Sequence, residues 1–560
     1  SNRRPFMTPT RIENSTEPGF EPHEFPFEKA AGRPLMRLLA VVLPLFSIAV
    51  VYAQTRTHAF VWDDTLLSLG TVYSSCEFKT IFTTAANSFE YLPVRDLTLC
   101  VDHALFGESP AGFHFQNVLL FGVAVTLLGS LYRAIFSASP HERLARNARW
   151  FSLLVVMVFA MHPLQVEPVA FITARNALLA LVFMLATLVS YARFVETNKR
   201  GWYGLSIILV AFALFSKATA VPVALLVVIL DFYLNRDAAI TRSLLRGLPH
   251  IAITAAAAAI HVVIASTHGA MNTAPTIAEF IGRLPRAAFI PQFYFYKFAW
   301  PLNQSTEYIM TGVREQNALV ALGTLVFALV CGAILFRGAR MRSAGALLCA
   351  GYLVALIPIL NLLPTYPPVA DRYAQIPLVF LAPLVLLPAL IWLPEKFLAA
   401  GSTVLVATLG WLSFQQVPTW KSDETIFAHA FEVDSRALVS LENLAHTHWY
   451  RGRPDESLVA FKKLAAERPS DGQYALFSAW HHARQRDFAT AQESLGVARR
   501  MNVARYYVHM VQAEIFLAQE NRSGAIRELK KAKADAARRF QRDSRARVYT
   551  MSINKALKQL

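Results

Sequence analysis

Charged residues are scarce in this sequence. Asp, Glu, Lys and Arg make up 16% of the 560 residues and hydrophobic residues 54%, whereas a soluble globular protein usually carries about 25% charged residues. Apolar runs of about 20 residues, the length that crosses a bilayer, recur along the chain. This composition excludes an ordinary soluble enzyme and an intrinsically disordered chain, and it indicates a membrane protein with many spans.

Cysteine is also rare. The four cysteines are too few for a disulfide scaffold and lack the spacing of a zinc site. Cys76 and Cys100 share one predicted outer loop, where they form either a disulfide or two buried free thiols. Cys331 and Cys349 lie within predicted spans, so we expect both in the protein core.

The apolar runs predict an all-α polytopic helix bundle of about eleven spans over residues 35–415, preceded by a disordered cytoplasmic tail at residues 1–34. The spans are expected at about 35–52, 116–136, 150–162, 168–194, 203–216, 219–235, 248–266, 316–336, 343–362, 376–393 and 396–414. The aromatic segment 287–300 would reverse the side of every later loop if it crossed the membrane. We therefore interpret it as an interfacial or re-entrant helix, because aromatic residues favour the headgroup level.

The short basic loops predict the orientation. With the N-terminus inside, all of them fall on the inner side, as the positive-inside rule requires. They hold Arg133, Arg143, Arg146, Arg149, Arg193, Lys199, Arg200, Arg236, Arg242, Arg246, Arg337, Arg340 and Arg342. The same rule explains the net charge of +16, so we expect no nucleic-acid partner. The predicted location is a bacterial inner membrane, and an endoplasmic-reticulum membrane has the same topology.

A 34-residue period follows the last span. Four registers repeat at this spacing: Ala445, Ala479 and Ala513; Ser457, Ala491 and Ala525; Phe461, Leu495 and Leu529; and Leu464, Ala498 and Ala532. This period is typical of tetratricopeptide repeats, and the simpler alternative is three unrelated helical hairpins. We expect a periplasmic tetratricopeptide-like domain over residues 416–560, ending in a basic helix, that holds a polypeptide on its concave face.

The first outer loop, residues 55–115, opens with two adjacent carboxylates. Asp63 and Asp64 follow Trp62 just beyond the first span. Charges near lipid are expensive and tend to be functional, although an Asp here also suits a helix N-cap. Arg95 and His114 lie further along this loop and are candidate binding residues.

Three cations lie at the outer ends of different predicted spans. Arg175, Lys217 and Arg372 are each explained singly as anchors that extend towards the interface. Together, near a carboxylate pair, they predict a site for an anionic headgroup such as a phosphate.

Six segments occur in a set order along the chain. They contain Trp62, Asp63 and Asp64; Tyr91, Leu92, Pro93 and Val94; Gly112, Phe113, His114 and Asn117; His162, Pro163, Glu167 and Val169, followed by Ala174, Arg175 and Asn176; Lys217; and Ala370, Asp371, Arg372 and Tyr373. In this order they resemble the GT-C superfamily of polyprenyl-phosphate-dependent glycosyltransferases, above all the transmembrane and tetratricopeptide-containing O-mannosyltransferases and their bacterial relatives. The likeness covers most of residues 35–415.

The resemblance implies an integral-membrane glycosyltransferase that moves a sugar from a polyprenyl-phosphate donor to Ser or Thr of exported proteins at the outer face. Either Asp63 or Asp64 would be the base, because an acceptor hydroxyl needs one. Fixed cations would stabilise the departing phosphate, with Arg175, Lys217 and Arg372 as the candidates. Further candidates for binding donor or acceptor are Arg95, His114, His162, Glu167 and Tyr373.

The chain departs from the family pattern at several positions. Gln165 and Val166 stand where the family has His and Thr, and Asn176 stands where it has Asp. If these positions contact the sugar, the donor need not be mannose. A divalent metal held by the Asp pair and a His is left open, and no other cofactor is expected.

Three alternative functions stay open. The same fold could act on a glycan or lipid acceptor, or the chain could be a non-catalytic envelope scaffold that works through its repeats. A transporter would show charges near mid-span and related halves, and neither is evident in the sequence.

Overall fold

The structure is a computed structural model that describes residues 26–64, 75–83, 91–236, 238–267, 276–310, 318–363, 367–501, 503–539, 553–554 and 556–558. Every regular element in these ranges is a helix, which confirms the all-α fold class. The membrane part contains α1 (Pro26–Tyr52), α2 (Phe78–Thr83), α3 (Pro93–Phe106), α4 (Pro110–Ser137), α5 (Glu142–Arg146), α6 (Ala148–Met161), α7 (Val166–Ala170), α8 (Arg175–Thr197), α9 (Arg200–Ser216), α10 (Val223–Leu234), α11 (Ile240–Thr267), α12 (Ile277–Ala299), α13 (Ala318–Met341), α14 (Ala344–Leu356), α15 (Asp371–Trp392) and α16 (Glu395–Gln416).

The apolar helices match the predicted spans. Among the described residues, seven helices are long and apolar enough to cross a membrane, and an eighth span results if α6 and the helical segment Pro163–Ala170, bent by 62°, count together. Three shorter apolar helices complete the set: Arg200–Ser216, Ala218–Leu234 and Ala344–Ile359. Each of the eleven falls on one predicted span, so the polytopic architecture is confirmed. Helix α1 begins at Pro26, inside the segment predicted to be disordered; residues 1–25 lie outside the described ranges.

Helices α8 and α15 occupy the centre of the bundle. In each, 67% of the most apolar stretch is buried, against 6% in α13, which leaves α13 facing outward. Lipid offers no hydrophobic driving force between helices, so close packing and interhelical hydrogen bonds hold such a bundle. The Tyr132 hydroxyl of α4, for example, donates to the Val379 carbonyl of α15 at 2.7 Å.

Helix α12, which contains most of segment 287–300, does not cross the bundle. Its early residue Arg286 contacts Asn361 at 3.3 Å, and its late residue Phe298 accepts a hydrogen bond from His162. Both partners lie at the same end of the bundle, beyond α14 and α6. At the other end, Arg342 donates to the carbonyls of Asn235 and Ala238, so the loop after α13 returns to the side of the loop before α11. This geometry agrees with the predicted interfacial or re-entrant helix.

Three of the four cysteines are buried, and all four are free thiols. Cys331 and Cys349 are buried in the bundle as expected. Cys76 and Cys100 are free thiols, but Cys100 is buried and Cys76 only half-buried, so the predicted alternative of two buried free thiols holds in part. They lie close enough to interact, and burial together with Cys76 raises the pKa of Cys100 to about 12.

Helical pairs follow the bundle. After α17 (Asp423–Val433) come α18 (Leu438–Tyr450), α19 (Pro454–Glu467), α20 (Gln473–Arg484), α21 (Phe488–Arg500), α22 (Arg505–Ala518) and α23 (Arg522–Arg539). All twelve residues of the four 34-residue registers are buried, and none is more than 5% exposed. Small residues therefore lie where helices approach closely, as the period predicted; the tetratricopeptide assignment itself stays a prediction.

Candidate functional site

The two adjacent carboxylates lie in one short helical turn, Trp62–Asp64, and face different surroundings. Asp63 is exposed, whereas Asp64 is fully buried. Both oxygens of Asp64 accept hydrogen bonds: one from the backbone and hydroxyl of Thr173, each at 2.7 Å, and the other from the backbone of Val61 at 3.3 Å. Asp64 therefore fixes the turn to the segment before α8, and Asp63 is the member of the pair that solvent or a ligand can reach.

Burial strongly raises the pKa of Asp64. Desolvation raises its pKa from 3.8 to about 7; the hydrogen bonds from Thr173 and Val61 oppose the rise, and the charge of Asp63 adds to it. Desolvation raises the pKa because removing water disfavours the charged form of the carboxyl group.

Aromatic packing and a hydrogen bond fix the position of the turn Trp62–Asp64. Trp62 has a backbone φ of 52°, a left-handed conformation that a bulky residue adopts only where its surroundings enforce it. Its ring stacks on Phe171 with centroids 5.7 Å apart and meets Phe427 edge-on. Its backbone N–H donates to Asp423 at 2.6 Å. The turn is thus held between the bundle and α17, which leads into the helical pairs.

Arg372, at the start of α15, reaches across to the turn. It donates two hydrogen bonds to the buried carboxylate of Glu167, from its backbone at 3.1 Å and from its guanidinium. Its guanidinium also lies 5.7 Å from the Trp62 ring, and an electrostatic interaction couples it to Asp63. Three predicted site segments, far apart in sequence, therefore meet at this arginine.

Lys217 also lies beside Tyr373. The Lys217 ammonium lies 5.5 Å from the centroid of the Tyr373 ring, and the Arg372 guanidinium lies 5.1 Å from the same centroid. Lys217 is 8% exposed and contacts the neutral amide oxygen of Asn176 at 3.4 Å. Asn176, which stands where the family pattern has Asp, thus offers Lys217 a neutral oxygen in place of a carboxylate.

Arg175, the third predicted phosphate ligand, has a different position. It is fully buried, and it donates to the side chains of Asp102 and Asn117 and to the Phe113 carbonyl. These bonds join α3, α4 and α8. Arg175 therefore lies behind the site, where it holds these three helices together, and it is near enough to Asp64 for an electrostatic interaction.

The remaining predicted residues are buried supports. His162 stacks on Phe298 at 4.8 Å and has both ring nitrogens in hydrogen bonds, with the Phe298 carbonyl and the Leu164 N–H. Arg95 pairs with Asp96 at 2.6 Å, with both side chains at most 2% exposed. His114 is buried and meets His58 edge-on at 5.8 Å.

The structure adds residues that the sequence reasoning left out of the site. Asp371 accepts a hydrogen bond from the Tyr308 hydroxyl at 2.6 Å, and the Lys297 ammonium lies 4.5 Å from the Tyr308 ring. The sequence could have indicated Lys297, because it is the single charged residue within the apolar, aromatic segment 287–300. The hydrogen bond between Tyr308 and Asp371 could not have been predicted from the sequence, because it depends on how α12 packs against α15.

A metal site does not emerge from the described ranges. No group of three or more His, Cys, Asp or Glu side chains with suitable geometry occurs there. Asp63 and Asp64 have divergent surroundings, and His162 is fully engaged, so the carboxylate pair and this histidine do not form a ready ligand set.

Comparison with known proteins gives partial matches. Protein O-mannosyl-transferase TMTC4 of Homo sapiens is 28% identical over 200 residues, which cover 32% of this chain and 27% of that protein. Its Mus musculus counterpart is 33% identical over 145 residues, covering 24% and 20%. Protein O-mannosyl-transferase Tmtc2 of Drosophila melanogaster is 26% identical over 217 residues, covering 36% and 22%.

These matches confirm, over part of the chain, the predicted resemblance to the transmembrane and tetratricopeptide-containing O-mannosyltransferases. The chain spans between 20% and 27% of the length of these curated relatives. Neither a family model nor a solved structure matches it.

Proposed function

We propose that this membrane protein is a glycosyltransferase of GT-C type that moves a sugar from a polyprenyl-phosphate donor to Ser or Thr hydroxyls of polypeptides. The observation that carries the proposal is the meeting of an exposed carboxylate, Asp63, with the Arg372, Tyr373 and Lys217 cluster at one end of the bundle. The similarity to proteins named O-mannosyl-transferases supports the reaction class.

The chemistry needs a base and an anion site. The acceptor oxygen attacks the anomeric carbon, and Asp63 takes the hydroxyl proton. The bond between that carbon and the phosphate oxygen breaks, and its electron pair stays on the lipid phosphate. Lys217 and Arg372 stabilise the charge that develops there. Asp64 is a positioning residue in this mechanism, because both of its oxygens are engaged and it has no exposed surface.

The position of the helical pairs suits a polypeptide acceptor. A hydrogen bond joins α17 to the carboxylate turn, and Glu307, near the site, accepts from the backbone of Val439 and Ser440 at the start of α18. The pairs therefore begin at the end of the bundle that carries Asp63. We place this end at the periplasmic face of a bacterial inner membrane, with the N-terminus cytoplasmic; the luminal face of an endoplasmic-reticulum membrane is the alternative.

The test is transfer by the purified full chain in liposomes. Radiolabelled polyprenyl-phosphate sugars, mannose among them, are offered with Ser- and Thr-containing peptides. Asp63→Asn should lower transfer by about 10²- to 10⁴-fold, the usual contribution of a general base. Glu108→Gln is the matched control, because Glu108 is an exposed carboxylate of the same loop and should leave transfer unchanged.

Three results would contradict the proposal. Folded parent protein that transfers no sugar from any donor would remove the enzyme assignment and favour a scaffold. Transfer only to glycans or lipids would change the acceptor class. Full activity of folded Asp63→Asn would remove Asp63 from the role of base.

A further inference from the structure

A cavity of about 600 Å³ lies at the other end of the bundle, between α1, α4, α6 and α8. It is independent of the site described above. Small residues open it, among them Gly129, Ser130, Ala134 and Ser152. Its volume is within the range of small-ligand sites.

Three arginines from three different helices line this cavity. Arg133 comes from α4, Arg149 from α6 and Arg193 from α8. Among the described residues that line the cavity, the one acidic side chain is Glu196, which pairs with Arg193 at 2.7 Å, so these lining residues carry a net charge of two positive. An anion is therefore the ligand that its charge favours.

The shape of the cavity adds a second constraint. Its lining follows α4 from Thr126 to Ser137, which at 1.5 Å per residue is about 16 Å. Half of a bilayer core is about 15 Å. Aliphatic residues such as Val41 and Val156 line the part nearer mid-bilayer, and the arginines lie towards the end that carries the short basic loops. The cavity is thus cationic at headgroup depth and apolar along one leaflet.

We propose that this cavity binds an anionic glycerophospholipid, with the phosphate at the three arginines and an acyl chain along α4. Basic residues near the surface of an anionic leaflet contribute favourably to lipid binding, and guanidinium groups match phosphate geometry. The site would tie α1 to the rest of the bundle, since α1 supplies one wall through Ala40 and Val41.

The experiment measures lipid retained by the purified full chain. Protein in mild detergent is mixed with phosphatidylglycerol or with phosphatidylcholine of the same acyl chains, separated from free lipid and analysed by mass spectrometry. A triple variant with Arg133→Gln, Arg149→Gln and Arg193→Gln should retain at least about ten-fold less phosphatidylglycerol than the parent. The parent should retain phosphatidylglycerol in preference to phosphatidylcholine.

Two further variants separate the cavity from general charge and from misfolding. The control triple variant Arg200→Gln, Arg242→Gln and Arg337→Gln loses the same charge from exposed positions outside the cavity, and it should retain lipid like the parent. Ser130→Trp keeps every arginine but fills the groove from an exposed position, and it should lose the lipid.

The proposal is overturned if phosphatidylcholine is retained as well as phosphatidylglycerol, or if the control triple variant loses as much lipid as the cavity variant. Retention by folded Ser130→Trp would also overturn it. An added polyprenyl phosphate that displaces phosphatidylglycerol at equal concentration would replace the glycerophospholipid by an isoprenoid ligand and so reject the proposal.

Discussion

Replacing Asp64 by Asn should change how the stability of the protein depends on pH. Because folding raises the pKa of Asp64 from 3.8 to about 7, the folded state holds this proton more tightly than the unfolded state. The resulting stabilisation is complete below pH 3.8 and is lost as the pH rises towards 7. Above pH 7 the folded protein carries a buried, ionised carboxylate.

The size of the effect follows from the pKa shift. About three units at 1.36 kcal/mol each correspond to roughly 4 kcal/mol. Asn has the same shape and does not titrate in this range. Its oxygen can still accept from Thr173, while its amide group faces the Val61 N–H and loses that 3.3 Å bond. The parent should therefore lose about this much stability relative to Asp64→Asn between about pH 4 and pH 7.

The assay is thermal unfolding of parent and variant in the same detergent across this pH range, followed by tryptophan fluorescence. The difference between the two melting temperatures is compared at each pH, so that all other titrating groups cancel. A difference that stays constant, or one that moves in favour of the parent as the pH rises, would refute the burial argument for Asp64.

Three further substitutions test the contacts of the site and the packing of the helical pairs. Arg372→Gln leaves Glu167, which is 2% exposed, without its charged partner and should cost about 3–5 kcal/mol; the melting temperature should fall, and adding Glu167→Gln should restore part of it. Glu307→Gln weakens the acceptor for the first N–H groups of α18 by about 0.5–1 kcal/mol, so limited proteolysis should release the helical pairs faster than in the exposed control Glu432→Gln. Ala479→Leu adds bulk at a position with no exposed surface and should cost about 1–3 kcal/mol, measured by unfolding; the matched control Val459→Leu, at a position 71% exposed, should have no effect.

The helices were predictable from sequence because they depend on local patterns. Apolar length sets the spans, and a 34-residue recurrence of small and bulky residues sets the helical pairs. That segment 287–300 does not cross the membrane was also predictable, because a crossing would have placed the basic loop of Arg342 on the opposite side from the other basic loops. The start of α1 was not, because a polar, proline-containing stretch gives no apolar signal for a helix beginning at Pro26.

The sequence predicted that Asp63, Lys217 and Arg372 lie near one another, and the structure brings them together; their contacts were not predictable, and their roles stay predictions. Sequence shows that Arg175, Lys217 and Arg372 lie at span ends, but it does not show which carboxylate each one faces. Asp102, which pairs with Arg175, lies in a loop helix whose packing depends on the whole bundle. The same limit applies to Asp63 and Asp64, because adjacent residues in one turn can point towards water and towards the core.

Two buried ion pairs hold the helices together at this end of the bundle. A buried ion pair is costly to break, so the pairs of Arg175 with Asp102 and of Arg372 with Glu167 fix the relative positions of α3, α7, α8 and α15. Lys217 contacts the amide oxygen of Asn176 and lies near the Tyr373 ring. In the proposed mechanism the donor phosphate lies at Lys217 and Arg372, which share the Tyr373 ring, so loss of Lys217 should weaken donor binding directly, while Arg175, which has no exposed surface, should matter through the geometry it maintains.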